Sequence, residues 1–381
     1  MTEALLRADR IVTPDGVIDG HLHIREGSIH HVETGDCQSP AMDWTGDVII
    51  PGLIDIHTDN LEKHYMPRQN AQWDAMGAAI AHDGQMATAG VTTVLDSLSL
   101  HGRSKNGLNR EEALAEMIKG LDAAEAVGAL RVDHGLHLRC EVANPNLFTA
   151  LEPHLDHPQM RMLSVMDHTP GARSVGGMEG FMERWRERGR TQEELDDHLE
   201  QTMSWRDTAG AGDRRAKVAK LGQEKNLPVA SHDDASVDHI SEAVELGCTI
   251  AEFPVSLEAA KAARKHQLVT VMGAPNFVRG RSHGANVSAR DIANAGVLDA
   301  LCSDYVPQAM IRAAFMLAEH PFNWPLQDAI ATVTAVPAAM SFLYDRGTLE
   351  VGKRADLLRV SYQPGHWPIL KEVWRGGIRV A

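Results

Sequence analysis

A chain of 381 residues with 43% hydrophobic and 23% charged side chains has room for a large core and the make-up of an ordinary globular protein, which excludes a disordered or fibrous class. Its formal net charge of -15 argues against a general nucleic-acid binder, because neutralising phosphates needs a basic surface; an anionic substrate would need a local cluster of cations. No stretch approaches the roughly 20 apolar residues of a membrane span, and Met1-Thr2-Glu3-Ala4 lacks the basic and apolar regions of a secretory signal, so a cytoplasmic protein with no membrane partner is expected.

Residues 1–50 read as short strands and turns, with Pro14-Asp15-Gly16 as a turn signal. Residues 345–381 have the same texture, so both chain ends are expected to build one small β domain together. Between them, over 51–344, apolar runs at 48–56, 91–98, 130–140, 160–166, 227–230, 248–253, 268–272 and 297–302 alternate with helical patterns. Eight such runs predict a closed parallel barrel. The expected fold is therefore α/β, a (β/α)8 TIM-type barrel with a small composite β-sandwich domain. Helix starts are predicted at Asn109, at a capping box over Thr191-Gln192-Glu193-Glu194, and at Ser256. A long charged insertion covers about 169–212, with Arg173, Arg184, Arg186, Arg188 and Arg190; insertions of that length are often lids or interface elements. The cysteines, Cys37, Cys140, Cys248 and Cys302, lie far apart and form no metal or disulfide pattern.

In such a barrel the chemistry gathers where the strands end, at one common mouth. His57 and Asp59 follow the first run, and two residues apart on a strand they share a face. Glu141 follows the third, His168 the fourth, Ser231-His232-Asp233-Asp234 the fifth and Ser303-Asp304 the eighth. Three imidazoles and three carboxylates, His57, Asp59, Glu141, His168, His232 and Asp304, thus predict a divalent metal centre. Mixed nitrogen and oxygen ligands suit zinc first, with manganese or iron as alternatives, and a bridging Glu141 would allow two ions instead of one. The competing reading of Asp233, Asp234 and Asp304 is that of helix caps.

The same residues carry a resemblance. Pro51-Gly52-Leu53-Ile54-Asp55-Ile56-His57, the late Ser303-Asp304, and Gly347, Leu349, Gly352, Ala355, Asp356 and Leu357 near the end resemble the amidohydrolase superfamily over nearly the whole chain. The run from His57 to His64, Ser231-His232-Asp233-Asp234, and the stretch from Val271-Met272-Gly273-Ala274-Pro275-Asn276 into Arg279-Gly280-Arg281-Ser282-His283-Gly284 resemble its PhnM-type phosphonate-metabolism branch. Asp59 stands where most superfamily members carry a second histidine. The resemblance implies a metal-dependent diphosphatase acting on α-D-ribose 1-methylphosphonate 5-triphosphate, with release of pyrophosphate. It also implies histidines after the fifth and sixth strands, whereas the runs here put His168 at the fourth and His232 at the fifth.

A metal lowers the pKa of bound water from about 15.7 toward 7, and Asp304 is the expected proton acceptor. A triphosphate calls for cations at the mouth, and Lys63, His64, Arg279, Arg281 and His283 are the expected substrate binders, with His101 and Arg103 as further candidates. Gly280 and Gly284 would let backbone amides approach the anion. Two other readings stand beside this one: hydrolysis of a carbon–nitrogen bond at the same metal site, and a non-catalytic scaffold on the same barrel. Apolar surface left on the outer helices leaves a homodimer open.

Overall fold

The computed structural model describes every residue except 1, 2, 38, 69, 70, 102–109, 188 and 283–285. Eight parallel strands follow one another in sequence around a barrel: Leu53–Thr58, Val91–Ser99, Asp133–Glu141, Met160–Met166, Val229–His232, Ile250–Glu252, Val269–Gly273 and Ala300–Cys302. Strands covered on both faces should be apolar throughout, and Val91–Ser99 is buried at every position. Their interior is packed, with Ile54, Ile56, Leu95, Met162, Ile250 and Val271 joined by Ala338 and Met340 of the helix Ala335–Met340.

The first and last strands meet through a parallel bridge between Thr58 and Asp304. The Asp304 amide donates to the His57 carbonyl at 2.9 Å and the Asp59 amide to the Asp304 carbonyl at 2.8 Å. At the other end of these strands Ile54 and Leu301 donate instead to the carbonyls of Val333 and Thr332, both at 2.9 Å.

The chain ends form a second sheet. Its order is Ile378–Arg379, Ile369–Arg375, Leu357–Ser361, Val48–Pro51, Glu3–Thr13, Gly16–Arg25 and Ser28–Thr34, with Met42–Asp43 beside Glu3–Thr13. The apolar run at 48–56 therefore serves two sheets and divides at Gly52. A Cβ there would lie 2.3 Å from Thr92 Oγ1, so only glycine lets the chain cross so close to the second barrel strand. In the hairpin of Gly16–Arg25 and Ser28–Thr34, Leu22 and Ile24 are buried while His21 and His23 face outward. Its register passes from His23 opposite His31 to Ile24 opposite Ile29, which leaves His30 as the extra residue of a β-bulge.

Asp133, at the start of the third barrel strand, ties the sheets together. It accepts from Arg346 at 2.6 Å, from Arg375 at 2.9 Å and from Arg354. A second charge cluster lies wholly inside, between the strand Val91–Ser99 and the helix Ala75–Thr88: Asp96 accepts from His82 at 2.7 Å and from His134 at 2.8 Å, and His134 faces Asp83 at 3.5 Å.

The capping box at Thr191 is present and opens the helix Gln192–Met203, and Ser256 caps Leu257–Lys265. The expected start at Asn109 lies outside the described residues, and that helix spans Arg110–Ala126. Ser236, not Asp233 or Asp234, caps the helix Val237–Glu245. Among the described residues no helix is long and apolar enough to cross a membrane.

Candidate metal centre

Six of the eight strands deliver ionisable side chains to the mouth. The first ends in His57, fully buried, with Asp59 just beyond. The third places His137, Arg139 and Glu141 at alternate positions, all toward the interior. His168 follows the fourth, His232 closes the fifth, Glu252 closes the sixth, and Asp304 lies past the eighth.

Two buried carboxylates orient the histidines. His57 Nδ1 donates to Glu252 Oε1 at 2.6 Å, and His232 Nδ1 donates to Oε2 at 2.7 Å. Burial alone would raise the Glu252 carboxyl, but the charge of His57 and the two imidazole hydrogen bonds outweigh it and hold it well below the usual range. The two rings stack with centroids 5.8 Å apart, and Phe253 packs on both. Glu141 does the same for His168, whose Nδ1 donates to Oε2 at 3.0 Å; His101 adds a bond at 2.8 Å and Arg206 one to Oε1 at 2.7 Å. A carboxylate on Nδ1 leaves Nε2 to face a cation, which is the usual arrangement behind metal-binding histidines.

Those Nε2 atoms do face further acceptors. His57 Nε2 is 3.8 Å from Asp59, while His232 and His168 lie 3.6 and 3.9 Å from Asp233 Oδ2. These gaps exceed hydrogen bonds and are close to the separation of about 3.3 Å between ligands held 2.0–2.1 Å from a tetrahedral ion. Asp59 is braced by Arg139 Nη1 at 2.8 Å. His137 gives its Nδ1 hydrogen to the Ile56 carbonyl at 2.9 Å, and its buried Nε2 has no hydrogen-bond partner. Burial pushes its pKa down to about 4, so this nitrogen offers a lone pair at neutral pH. His57, His137 and Glu252 form one group of donor atoms within 4.8 Å of one another, and His168, His232 and Asp233 form another. An unpaired buried nitrogen amid such donors fits a divalent ion.

Three residues at the strand ends have left-handed backbones: Asp233 with φ 60°, Phe253 with φ 55° and Asp304 with φ 53°. Such strain collects at functional sites, where it re-aims side chains. Gly273 makes room for Asp304, whose Oδ2 lies 3.1 Å from where a Cβ would stand.

The expected substrate cations divide. Lys63 Nζ reaches Asn60 Oδ1 and the Tyr305 carbonyl, both at 3.4 Å, and lies over the Tyr305 ring. Arg279 donates to the Tyr305 hydroxyl at 3.2 Å, so both cations meet at Tyr305, the residue after Asp304. Arg281 is exposed. His64 is turned instead to Gln85 of the helix Ala75–Thr88, at 2.8 Å. His283, Gly284, Arg103 and Arg188 lie outside the described residues. His101 binds Glu141, and Arg173 is spent on Asp234 and Glu242. Sequence reasoning passed over His137, Arg139, Arg206, Asp233 as a metal-facing group, and Glu252. For the first two the signal was there, as polar residues at alternate positions of an otherwise apolar run.

The pattern of the Amidohydrolase family matches residues 154–380. The chain is 37% identical over 378 residues to the alpha-D-ribose 1-methylphosphonate 5-triphosphate diphosphatase of Escherichia coli (strain K12), covering 97% of this chain and 98% of that one. The chain belongs to the amidohydrolase family. As an amidohydrolase it is a hydrolytic enzyme of a metal-dependent superfamily, and its barrel carries candidate metal-binding clusters. It is also 25% identical over 403 residues to an imidazolonepropionase of Methylobacterium nodulans, with 94% of each chain covered. A solved N-acetyl-D-glucosamine-6-phosphate deacetylase variant from Mycobacterium smegmatis shares the fold, with a TM-score of 0.65 at 17% identity over the whole of both chains. Where the superfamily resemblance implied a histidine after the sixth strand, this amidohydrolase has Glu252.

Proposed function

We propose that this amidohydrolase cleaves a phosphoanhydride bond of α-D-ribose 1-methylphosphonate 5-triphosphate and releases pyrophosphate in phosphonate catabolism. The observation that carries the reading is the 37% identity to the Escherichia coli diphosphatase across 97% of the chain. The mouth agrees with it. Arg139 and Arg206 are neutralised by Asp59 and Glu141, while Lys63 and Arg279 hydrogen-bond to the neutral groups of Asn60 and Tyr305 and can add positive charge for an anion. The free thiols Cys37, Cys140, Cys248 and Cys302 fit work in the reducing cytoplasm.

In this reading His57, His137, His168 and His232, with Asp59 and Asp233, hold one or two divalent ions, zinc by donor type, with manganese or iron as alternatives. The metal, when bound, lowers the pKa of water and offsets phosphate charge. Glu252 and Glu141 keep the imidazoles in the tautomer that presents Nε2. Asp304 accepts the proton of the water that attacks the phosphorus nearest the ribose; the new P–O bond forms as the bond to the β-phosphate oxygen breaks. Lys63 and Arg279 then hold the departing pyrophosphate.

The test is metal content and pyrophosphate release from ribosyl 5-triphosphates, beside a panel of amides, for the wild type, His57→Ala and Asp304→Asn. Asp304→Asn should retain metal while losing at least about 100-fold in rate, and His57→Ala should lose both. Full activity in either variant removes that residue from the mechanism, and turnover of amides alone overturns the substrate.

A further inference from the structure

We propose that the outer face of the sheet built from the chain ends carries a second divalent transition-metal site, made by His23, His30 and His31. It lies in the hairpin of Gly16–Arg25 and Ser28–Thr34, outside the barrel altogether. Neighbouring residues on a strand normally point to opposite faces, so His30 and His31 should not share a ligand. The bulge at His30 undoes that alternation. With one residue extra, the ring of His30 turns to the side of His31, and His23 stands directly across from His31 in the register.

The rings show the result. His23 and His31 stack with centroids 6.1 Å apart, and His30 meets them edge-on at 5.6 and 4.6 Å. One ring nitrogen of each lies within 4.8 Å of the others. A tetrahedral zinc ion needs these atoms at about 3.3 Å, a closure of little more than an ångström that rotation of exposed side chains supplies. His30 and His31 are exposed and His23 half-buried, so an ion enters from solvent without opening the fold. His23 Nε2 lies 2.9 Å from Glu3 Oε1, which places a carboxylate beside the three imidazoles as a fourth ligand. Three imidazoles and one carboxylate suit zinc, and copper(II) binds such a set more tightly.

The full chain, stripped of metal with a chelator, is titrated with zinc by calorimetry as wild type, as His30→Ala with His31→Ala, and as His57→Ala. The wild type should take up one more equivalent in the micromolar range than the double variant, and His57→Ala should keep that equivalent. Copper(II) at this site should show nitrogen coupling by paramagnetic resonance that the double variant loses. The changed positions are exposed, so the double variant should match the wild type in melting temperature and hydrolytic rate. Equal zinc uptake by wild type and double variant, or uptake at this face only at millimolar metal, overturns the proposal. Neither outcome bears on the barrel site.

Discussion

Glu252 is the residue whose removal should say most about the site. It touches two histidines and faces no solvent, so Glu252→Gln keeps the shape while losing the charge that fixes both Nδ1 hydrogens. Metal affinity should fall about 10- to 100-fold, read as metal retained against a competing chelator, with the circular dichroism spectrum unchanged. Undiminished retention would show that the carboxylate orients nothing of consequence. A second prediction concerns His134 and Asp96. Burial opposes the charge on His134, but Asp96 and Asp83 outweigh it and raise its pKa from 6.5 to about 9. Burial opposes the charge on Asp96 as well, yet His134 and His82 bring it from 3.8 down to about 2. Their stabilisation is full between pH 3.8 and 6.5 and is lost as pH climbs toward about 9 or falls toward about 2. His134→Gln should cost about 3 kcal/mol near pH 6 and flatten the decline of Tm between pH 6.5 and 9. A decline as steep as that of the wild type would place the pH dependence elsewhere.

Among the elements, the insertion is anchored at its start by Arg173 on Asp234 and Glu242, while its two helices bury little. Its helices Gly177–Glu187 and Gln192–Met203 lean on each other through Trp185 and His198, stacked at 4.8 Å, and bury only Leu195. It returns to the barrel at Arg206, whose guanidinium is buried against Glu141, and at Asp207, which donates its amide to the Ala143 carbonyl. Arg206→Ala would leave the Glu141 charge short of a partner. Faster tryptic cleavage within 169–212 and a lowered Tm are expected; an unchanged digestion pattern would show that the segment is anchored by other means. At this scale the sequence was most readable where burial forces a pattern. The run at 160–166 coincides with Met160–Met166, and the capping box at Thr191 is formed as its spacing implies. The strand Ile250–Glu252 was legible as an apolar run, but Glu252 was not recognised, because the run was read on to Phe253 and the glutamate lay inside it. Its pairing with His57, 195 positions away, and with His232 gives Glu252 a role, and no local pattern encodes such a contact. Asp233 and His137 were hidden for related reasons: the first resembled a cap, and the second lay inside the run instead of at its tip.

For the whole molecule, the joint between barrel and end-built sheet rests on Asp133 and its arginines. Arg346, Arg354 and Arg375 all come from the last part of the chain, so one carboxylate pins the final forty residues to the barrel. Asp133→Ala should lower stability by about 1–2 kcal/mol, a modest figure because the side chain is 33% exposed, and should make denaturant unfolding less cooperative. A single sharp transition at the wild-type midpoint would show that apolar packing carries the joint alone. The barrel, the end-built sheet and the family were all legible from the sequence, since each depends on patterns spread over hundreds of residues.

The ring of strands is closed at its mouth by the backbone of Thr58, Asp59 and Asp304, the last two being residues to which the proposed chemistry assigns side-chain roles. A designer who wished to cut the chain at this junction and rejoin it elsewhere would find no neutral seam. The backbone bonds that close the mouth run through residues of the proposed reaction centre, so re-engineering that closure also means re-engineering the proposed site.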